Sequence, residues 1–321
     1  MKRVIIDTDP GIDDTAALLF ALGSPELRIE ALTTIFGNVS LEQCTRNALT
    51  ILEAAGRSDI PVYPGVSRSF GLGDPPLAPH IHGSDGMGDT SPPTPDIEPQ
   101  PANAVFEIVR RVLDSPGELT FIALGRLTNL ALAINIAPQV ADSLKEVVVM
   151  GGAVTVPGNV TPVATANLQG DPQAADVVYR SGARIAQVGL DVCREVEFTA
   201  EQLSRVWQAD TPATRILQNA VSFIQAAYNS RGRLRNPDGA QFNDVPAMAY
   251  AIDPSLFTTK EAYVRVEYRS DLTAGQTVAD IDGLTGNSPN ASVALGVDAD
   301  RLTRLWVDRL TGETVSKALP P

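Results

Sequence analysis

Short runs rich in Val and Ile, each ending in Gly, Asp or Asn, alternate along the chain with Ala/Leu-rich stretches whose apolar positions recur every three or four residues. A brief apolar run bounded by turn formers reads as a buried strand, and 3.6-residue spacing reads as an amphipathic helix. The pattern predicts strands over 3–7, 29–36, 119–124, 145–150 and 184–190, separated by helices over 14–22, 41–55, 102–114, 127–137 and 171–181. Asp171-Pro172 and Ser115-Pro116-Gly117 supply entry and exit signals. Such alternation is the signature of an α/β fold with an open, largely parallel, doubly wound (Rossmann-like) sheet flanked by helices. Further on, helices are expected over 199–208, 212–228 and 298–310, and strands over 262–268 and 276–281. No stretch is rich enough in linker residues to cut the chain, so residues 1–321 are expected to form one domain. Residues 61–101 hold ten prolines, too many for regular structure, and 229–243 reads as a second loop.

Composition narrows the function classes. The chain lacks any run of 18 apolar residues, which leaves no membrane span. With 38 Asp+Glu against 25 Lys+Arg, the net charge is −13, which disfavours a nucleic acid polymer as partner. Cys44 and Cys193 are the only cysteines and His80 and His82 the only histidines. No disulfide framework and no ordinary zinc site follow from so few. Asp7 interrupts the apolar start before any signal-peptide core forms, and a cytoplasmic location is expected. Walker, Gly-x-Ser-x-Gly and Gly-x-Gly-x-x-Gly motifs are absent from the sequence.

The strongest local signal is Asp7-Thr8-Asp9-Pro10-Gly11-Ile12-Asp13-Asp14, placed between the first strand and the first helix. Acids at a helix N-terminus gain about 0.3–1 kcal/mol each. Two carboxylates about 4 Å apart repel by about 4 kcal/mol at an effective dielectric near 20, so convergence of Asp9 with Asp13 or Asp14 needs a proton or a cation. Oxygen donors without nearby Cys or His suit Ca²⁺ or Mg²⁺. An EF-hand is excluded, because counting from Asp7 puts Ile12 where Gly is needed and Leu18 where Glu is needed. A phosphatase of the haloacid dehalogenase type also starts strand-Asp-x-Asp, but it has no need of the Asp13-Asp14 pair.

The octapeptide closely resembles the amino-terminal signature of the inosine–uridine-preferring nucleoside hydrolase family. Agreement continues in order through Gly37-Asn38-Val39, His82-Gly83, Ala123-Leu124-Gly125-Arg126-Leu127-Thr128-Asn129, Met150-Gly151-Gly152, Gly158-Asn159, Asn167, Asp171-Pro172 and Asn243-Asp244. The resemblance implies a nucleoside hydrolase fold, one Ca²⁺, and hydrolysis of a ribonucleoside N-glycosidic bond. Carried over residue by residue, it implies metal ligation by Asp9, Asp14, the Leu124 carbonyl and Asp244, with Asp9 as general base toward the attacking water. Asp13, Asn38, Asn167 and Asp244 are implied to hold the ribose hydroxyls, Asn159 and Thr165 to border the 5′ end, and Met150 to pack below the sugar. Direct attack by water implies inversion. The partner implied is a small ribonucleoside, and homodimers or homotetramers are common in the family.

Two positions depart from the pattern. The family's Glu-Phe-Asn stands here as Thr165-Ala166-Asn167, replacing a carboxylate by a neutral hydroxyl at the 5′ end. Its His-Asp stands as Asn243-Asp244, removing the histidine that protonates the leaving base, a role worth about 10²–10⁴ in rate. His82 is the candidate to stand in, with Tyr228, Trp207, Phe242, Arg231, Arg233 and Arg235 as further base-side groups. Two alternatives therefore stand beside the main reading. One is a hydrolase of the same fold acting on another N-riboside with an enlarged 5′ group, and the other a Ca²⁺-dependent ribose- or nucleoside-binding protein with little turnover.

Overall fold

The computed structural model describes residues 1–71 and 77–312; positions 72–76 of the proline-rich stretch lie outside them. Among the described residues nine strands make one sheet: β1 (Lys2–Thr8), β2 (Leu27–Thr34), β3 (Val62–Pro64), β4 (Leu119–Ala123), β5 (Glu146–Met150), β6 (Ile185–Val188), β7 (Phe257–Val266), β8 (Thr277–Asp280) and β9 (Ala291–Val297). Their order is β3-β2-β1-β4-β5-β6-β9-β7-β8. All neighbours from β3 to β9 run parallel, and β7 pairs antiparallel with β9 and β8. The fold is the expected open, mostly parallel α/β architecture.

The helices are α1 (Ile12–Leu22), α2 (Leu41–Ala54), α3 (Pro79–His82), α4 (Ala104–Asp114), α5 (Thr128–Ile136), α6 (Gln139–Ser143), α7 (Ala166–Gly170), α8 (Pro172–Tyr179), α9 (Leu190–Cys193), α10 (Ala200–Trp207), α11 (Pro212–Asn229), α12 (Asp244–Ile252) and α13 (Ala299–Thr311). Alternate strand residues feed opposite faces of the sheet. Val4, Ile6, Val148 and Met150 join a core built with α1, α2 and α11 to α13, while Ile5, Val147 and Val149 join one built with α4, α5 and α8. That two-sided burial explains why β1 and β5 read as continuous apolar runs.

Several elements lie outside the pattern-based expectation, α12, β9, β3 and α3 among them. Helix α12 is buried on nearly every face, so its sequence shows no polar stripe from which 3.6-residue spacing could be read. Strand β9, Ala-rich and with Gly296 next to its end, carries residues that are poor strand signals. Within 61–101 the prolines leave room for β3 and for a single turn, α3, in which Pro79 occupies an opening position that has no need of a backbone donor.

Register sets the position of the site. Asp7 lies level with Thr33 of β2 and Ala123 of β4, so the loops after all three strands leave the sheet at one height. The chain winds outward from β1 in both directions, and in such sheets ligands bind at this switch point, beyond the strand ends.

Candidate active site

Asp9 follows β1 directly, and its carboxylate is held by two glycines. A Cβ on Gly37 would lie 1.8 Å from Asp9 Oδ2, and one on Gly125 would lie 2.5 Å from Oδ1. The Asn38 amide donates to Oδ2 at 2.8 Å. The glycines at positions 37 and 125 are thus required by the space Asp9 occupies. Gly37→Ala is expected to lower kcat by about 10²-fold or more through displacement of this carboxylate, with kcat and thermal melting measured on the same preparation.

Gly11 caps α1, and its missing side chain serves the same purpose. A Cβ there would meet His82 Nδ1 at 2.6 Å and Asn38 Nδ2 at 2.8 Å. The Gly11 amide donates to Asp14 Oδ2 at 3.0 Å, the Thr8 hydroxyl donates to Oδ1 at 2.5 Å, and Asn38 Nδ2 donates to Oδ2 at 3.1 Å. Asp14 is thereby fixed beneath the cavity. Helix α12 packs on α1 and brings its first residue, Asp244, to Asp13 and Asp14, so that one oxygen of each lies within 4.8 Å of the others. Asp13 Oδ1 is buried with no hydrogen-bond partner among the described residues.

Burial sets the electrostatics of this group. It pushes the Asp13 carboxyl up to about 6 and Asp9 and Asp244 well above the usual carboxylate range. Asp14 is raised by burial and by Asp13 beside it. On Asp9 the Arg126 guanidinium and the Asn38 amide act in the opposite direction. Four buried carboxylates, one with an unmatched oxygen, are an unstable arrangement unless protons or a cation balance them. The all-oxygen donor set fits a hard divalent cation.

His82 is buried, and burial pushes its imidazole down to about 4. Nδ1 accepts from the Ile12 amide at 3.2 Å, which leaves the proton of the neutral ring on Nε2. Tyr228 accepts at its hydroxyl from Asn243 Nδ2 at 2.9 Å, which leaves the phenolic proton available. Asn167 Nδ2 donates to the carbonyls of Leu124 and Met150. Thr165 Oγ1 accepts from Gly152 N at 3.1 Å, and Asn159 Oδ1 accepts from Ala166 N at 3.0 Å, closing the 159–167 turn.

One cavity of about 600 Å³ collects Asp9, Asp13, Asn38, His82, Leu124, Met150, Asn159, Thr165, Asn167, Asn243 and Asp244, residues spread over more than two hundred positions. Asp14 supports it from below. Tyr228, Arg231 and Arg233 also line it. Phe242 does not: it packs 5.4 Å from Phe198 and 5.9 Å from Trp306 in the core. Trp207 packs against that core from α10, and Arg235 pairs with Glu195 on the surface. Asn47 went unread in the sequence, and Arg126 entered there only as part of a motif, without a role. Asn47 joins the Pro10 and Asp85 carbonyls at 2.9 Å each, and Arg126 lines the cavity with its guanidinium 4.3 Å over the Phe36 ring. The available signal for Arg126 was Gly170, where a Cβ would fall 2.1 Å from its Nε.

A family model described as inosine-uridine preferring nucleoside hydrolase matches residues 4–304. The chain belongs to this family. As a nucleoside hydrolase, it is 39% identical over 318 residues to a probable uridine nucleosidase 2 of Arabidopsis thaliana, covering 96% of this chain and 97% of that one. It is 35% identical over 309 residues to the pyrimidine-specific ribonucleoside hydrolase RihA of Escherichia coli, with 96% and 97% covered. A solved purine-preferring ribonucleoside hydrolase from Gardnerella vaginalis superposes with a TM-score of 0.91 at 34% identity, covering 97% of this hydrolase and 98% of its own chain.

Proposed function

We propose that this nucleoside hydrolase cleaves the N-glycosidic bond of ribonucleosides, releasing ribose and free base in a Ca²⁺-dependent reaction. The observation that carries the reading is the convergence of Asp13, Asp14 and Asp244, with Asp9 lining the same cavity and seated between two glycines. Asp9, Asp14, the Leu124 carbonyl and Asp244 would hold the ion. A divalent cation there would offset part of the floor's negative charge and lower the pKa of an attacking water.

The chain's own residues supply the rest. Asp9 takes the proton of the water that attacks the anomeric carbon, its orientation set by Gly37, Gly125 and the Asn38 amide. Asp13, Asn38, Asn167 and Asp244 hold the 2′- and 3′-hydroxyls, with Met150 beneath the ring. At the leaving base, the Tyr228 proton left free by Asn243 and the Nε2–H of His82 are the donors. A neutral His82 anchored on α1 acts as a hydrogen-bond donor rather than as an imidazolium acid.

One nine-stranded sheet running from residue 2 to residue 297 supports a single domain. Free, buried Cys44 and Cys193 support a reducing, cytoplasmic setting. Phe106 and Ile136, exposed on the packed helices α4 and α5, support a homo-oligomer.

Removing a hydroxyl that the site binds leaves buried polar groups unpaired. Ribonucleosides are therefore expected to exceed their 2′-deoxy counterparts in kcat/KM by about 10²-fold or more, measured as reducing-sugar release from uridine, inosine and both deoxynucleosides. Relatives named for uridine, for pyrimidines and for purines are all similar to this chain, so the set spans both base classes. Equal rates on the deoxynucleosides would refute the assignment of the hydroxyl-binding residues.

A further inference from the structure

Among the described residues, Asp9, Asp13 and Asp244, on the floor, are the acidic ones that line the cavity. Its walls carry the opposite charge. Arg126, Arg231 and Arg233 line the same space, in a chain whose net charge is −13. A solvated arginine on an acidic protein would need no explanation, but Arg126 is only 5% exposed. It is stacked on Phe36 and fitted against Gly170, where a Cβ would come 2.1 Å from its Nε. Arg233 is also held in place. Its Nη2 donates to the Asn159 carbonyl at 2.9 Å and its guanidinium lies 5.5 Å over the Tyr228 ring.

These two arginines bracket one segment. Residues 159–170 begin at the carbonyl that Arg233 grips and end at the glycine against which Arg126 packs. In the middle stands Thr165, a neutral residue where the family's pattern has a glutamate. Its hydroxyl is turned inward to Gly152 N, and Gln169 adds another neutral side chain to the lining. This wall carries no negative charge among the described residues and is flanked by two positive ones. A divalent ion on the floor would balance two of the four aspartate charges, and the three arginines outweigh the remainder. Planar guanidinium groups suit the bidentate binding of phosphate and carboxylate oxygens.

We propose that the substrate is an N-riboside carrying an anionic group at its 5′ carbon, in its simplest form a nucleoside 5′-monophosphate, read by Arg126 and Arg233. This rests on the N-ribohydrolase reading above and specifies its substrate class. The water oxygen bonds to C1′, the C1′–N bond breaks with its electron pair passing to the base nitrogen, and that nitrogen takes up a proton. The products are ribose 5-phosphate and free base, and the phosphoester is untouched.

The test compares uridine and inosine with their 5′-monophosphates on the Ca²⁺-loaded enzyme, in the wild type, Arg233→Gln and Arg126→Gln. A charge-assisted hydrogen bond of the usual strength predicts a kcat/KM advantage of about tenfold or more for the monophosphates, carried mainly by KM. In Arg233→Gln this advantage should shrink about tenfold relative to the parent nucleosides, and Arg126→Gln should behave alike if it folds. Monophosphates cleaved no better than nucleosides would overturn the proposal and leave the N-ribohydrolase reading standing. Should neither class be cleaved, that reading falls, and calorimetry with ribose 5-phosphate against ribose still decides the anion site. About tenfold tighter binding of the phosphate supports it, and equal affinities overturn it.

Discussion

Asp9→Asn is expected to lower kcat by about 10³-fold or more while leaving the metal-free protein as stable as the wild type or more so. The two halves of this expectation have one physical origin. Burial and the neighbouring Asp14 hold the Asp9 carboxyl well above its ordinary range, which means that the folded chain resists the ionised form. A base that must be ionised in such a place is an expense of function, and sites of this kind trade stability for chemistry. Asparagine keeps the shape between Gly37 and Gly125 and can still accept from the Asn38 amide, but it takes no proton from water. General base catalysis is worth about 10²–10⁴, and loss of an ion ligand adds to that. Steady-state rates and melting curves on the same variant check both signs. A large fall in melting temperature alongside the lost rate would mean that Asp9 serves the fold.

Removal of the divalent ion should destabilise the protein, and more so at pH 7.5 than at pH 5. In the metal-free chain burial raises Asp13 to about 6 and Asp7, which accepts from Thr33 and Asn129, to about 7. Unfolded aspartates titrate near 4. The folded state therefore binds more protons than the unfolded state between about pH 4 and pH 7, and stability falls as pH rises through that window. Raising Asp13 alone by about two units corresponds to roughly 3 kcal/mol. Ca²⁺ requires deprotonated ligands, so its stabilisation grows over the same range. Melting in Ca²⁺ or chelator at pH 5 and pH 7.5 should show a shift of about 5 °C or more at the higher pH and a smaller one at the lower. A metal-free protein that gains stability from pH 5 to pH 7.5 would contradict this picture of the floor.

The parts of the molecule legible in the sequence are those whose determinants are local. Strands β1, β4 and β5 are short apolar runs buried on both sides, and the acidic octapeptide sits where the first of them ends. Helix α12 was hidden because burial on nearly every face erased its periodicity. Its first residue, Asp244, joins Asp13 and Asp14 only through the packing of α12 on α1, and spacing along a chain carries no trace of that. The resemblance to the nucleoside hydrolases supplied what the pattern could not. The place of Arg126 in the cavity was hidden for a different reason: an arginine in a loop looks solvated, and its burial depends on Phe36 and Gly170 from two distant segments. Trp207 and Phe242 show the converse, aromatic residues at positions near the site that turn into the core instead.

The most direct test of the account is ribose release from uridine and inosine by protein first stripped with a chelator and then reloaded with Ca²⁺. The stripped enzyme should be inactive, Ca²⁺ should restore turnover, and Asp9→Asn should stay about 10³-fold or more below the reloaded wild type. Turnover that persists unchanged in the chelator, or no ribose from either nucleoside after reloading, would contradict it.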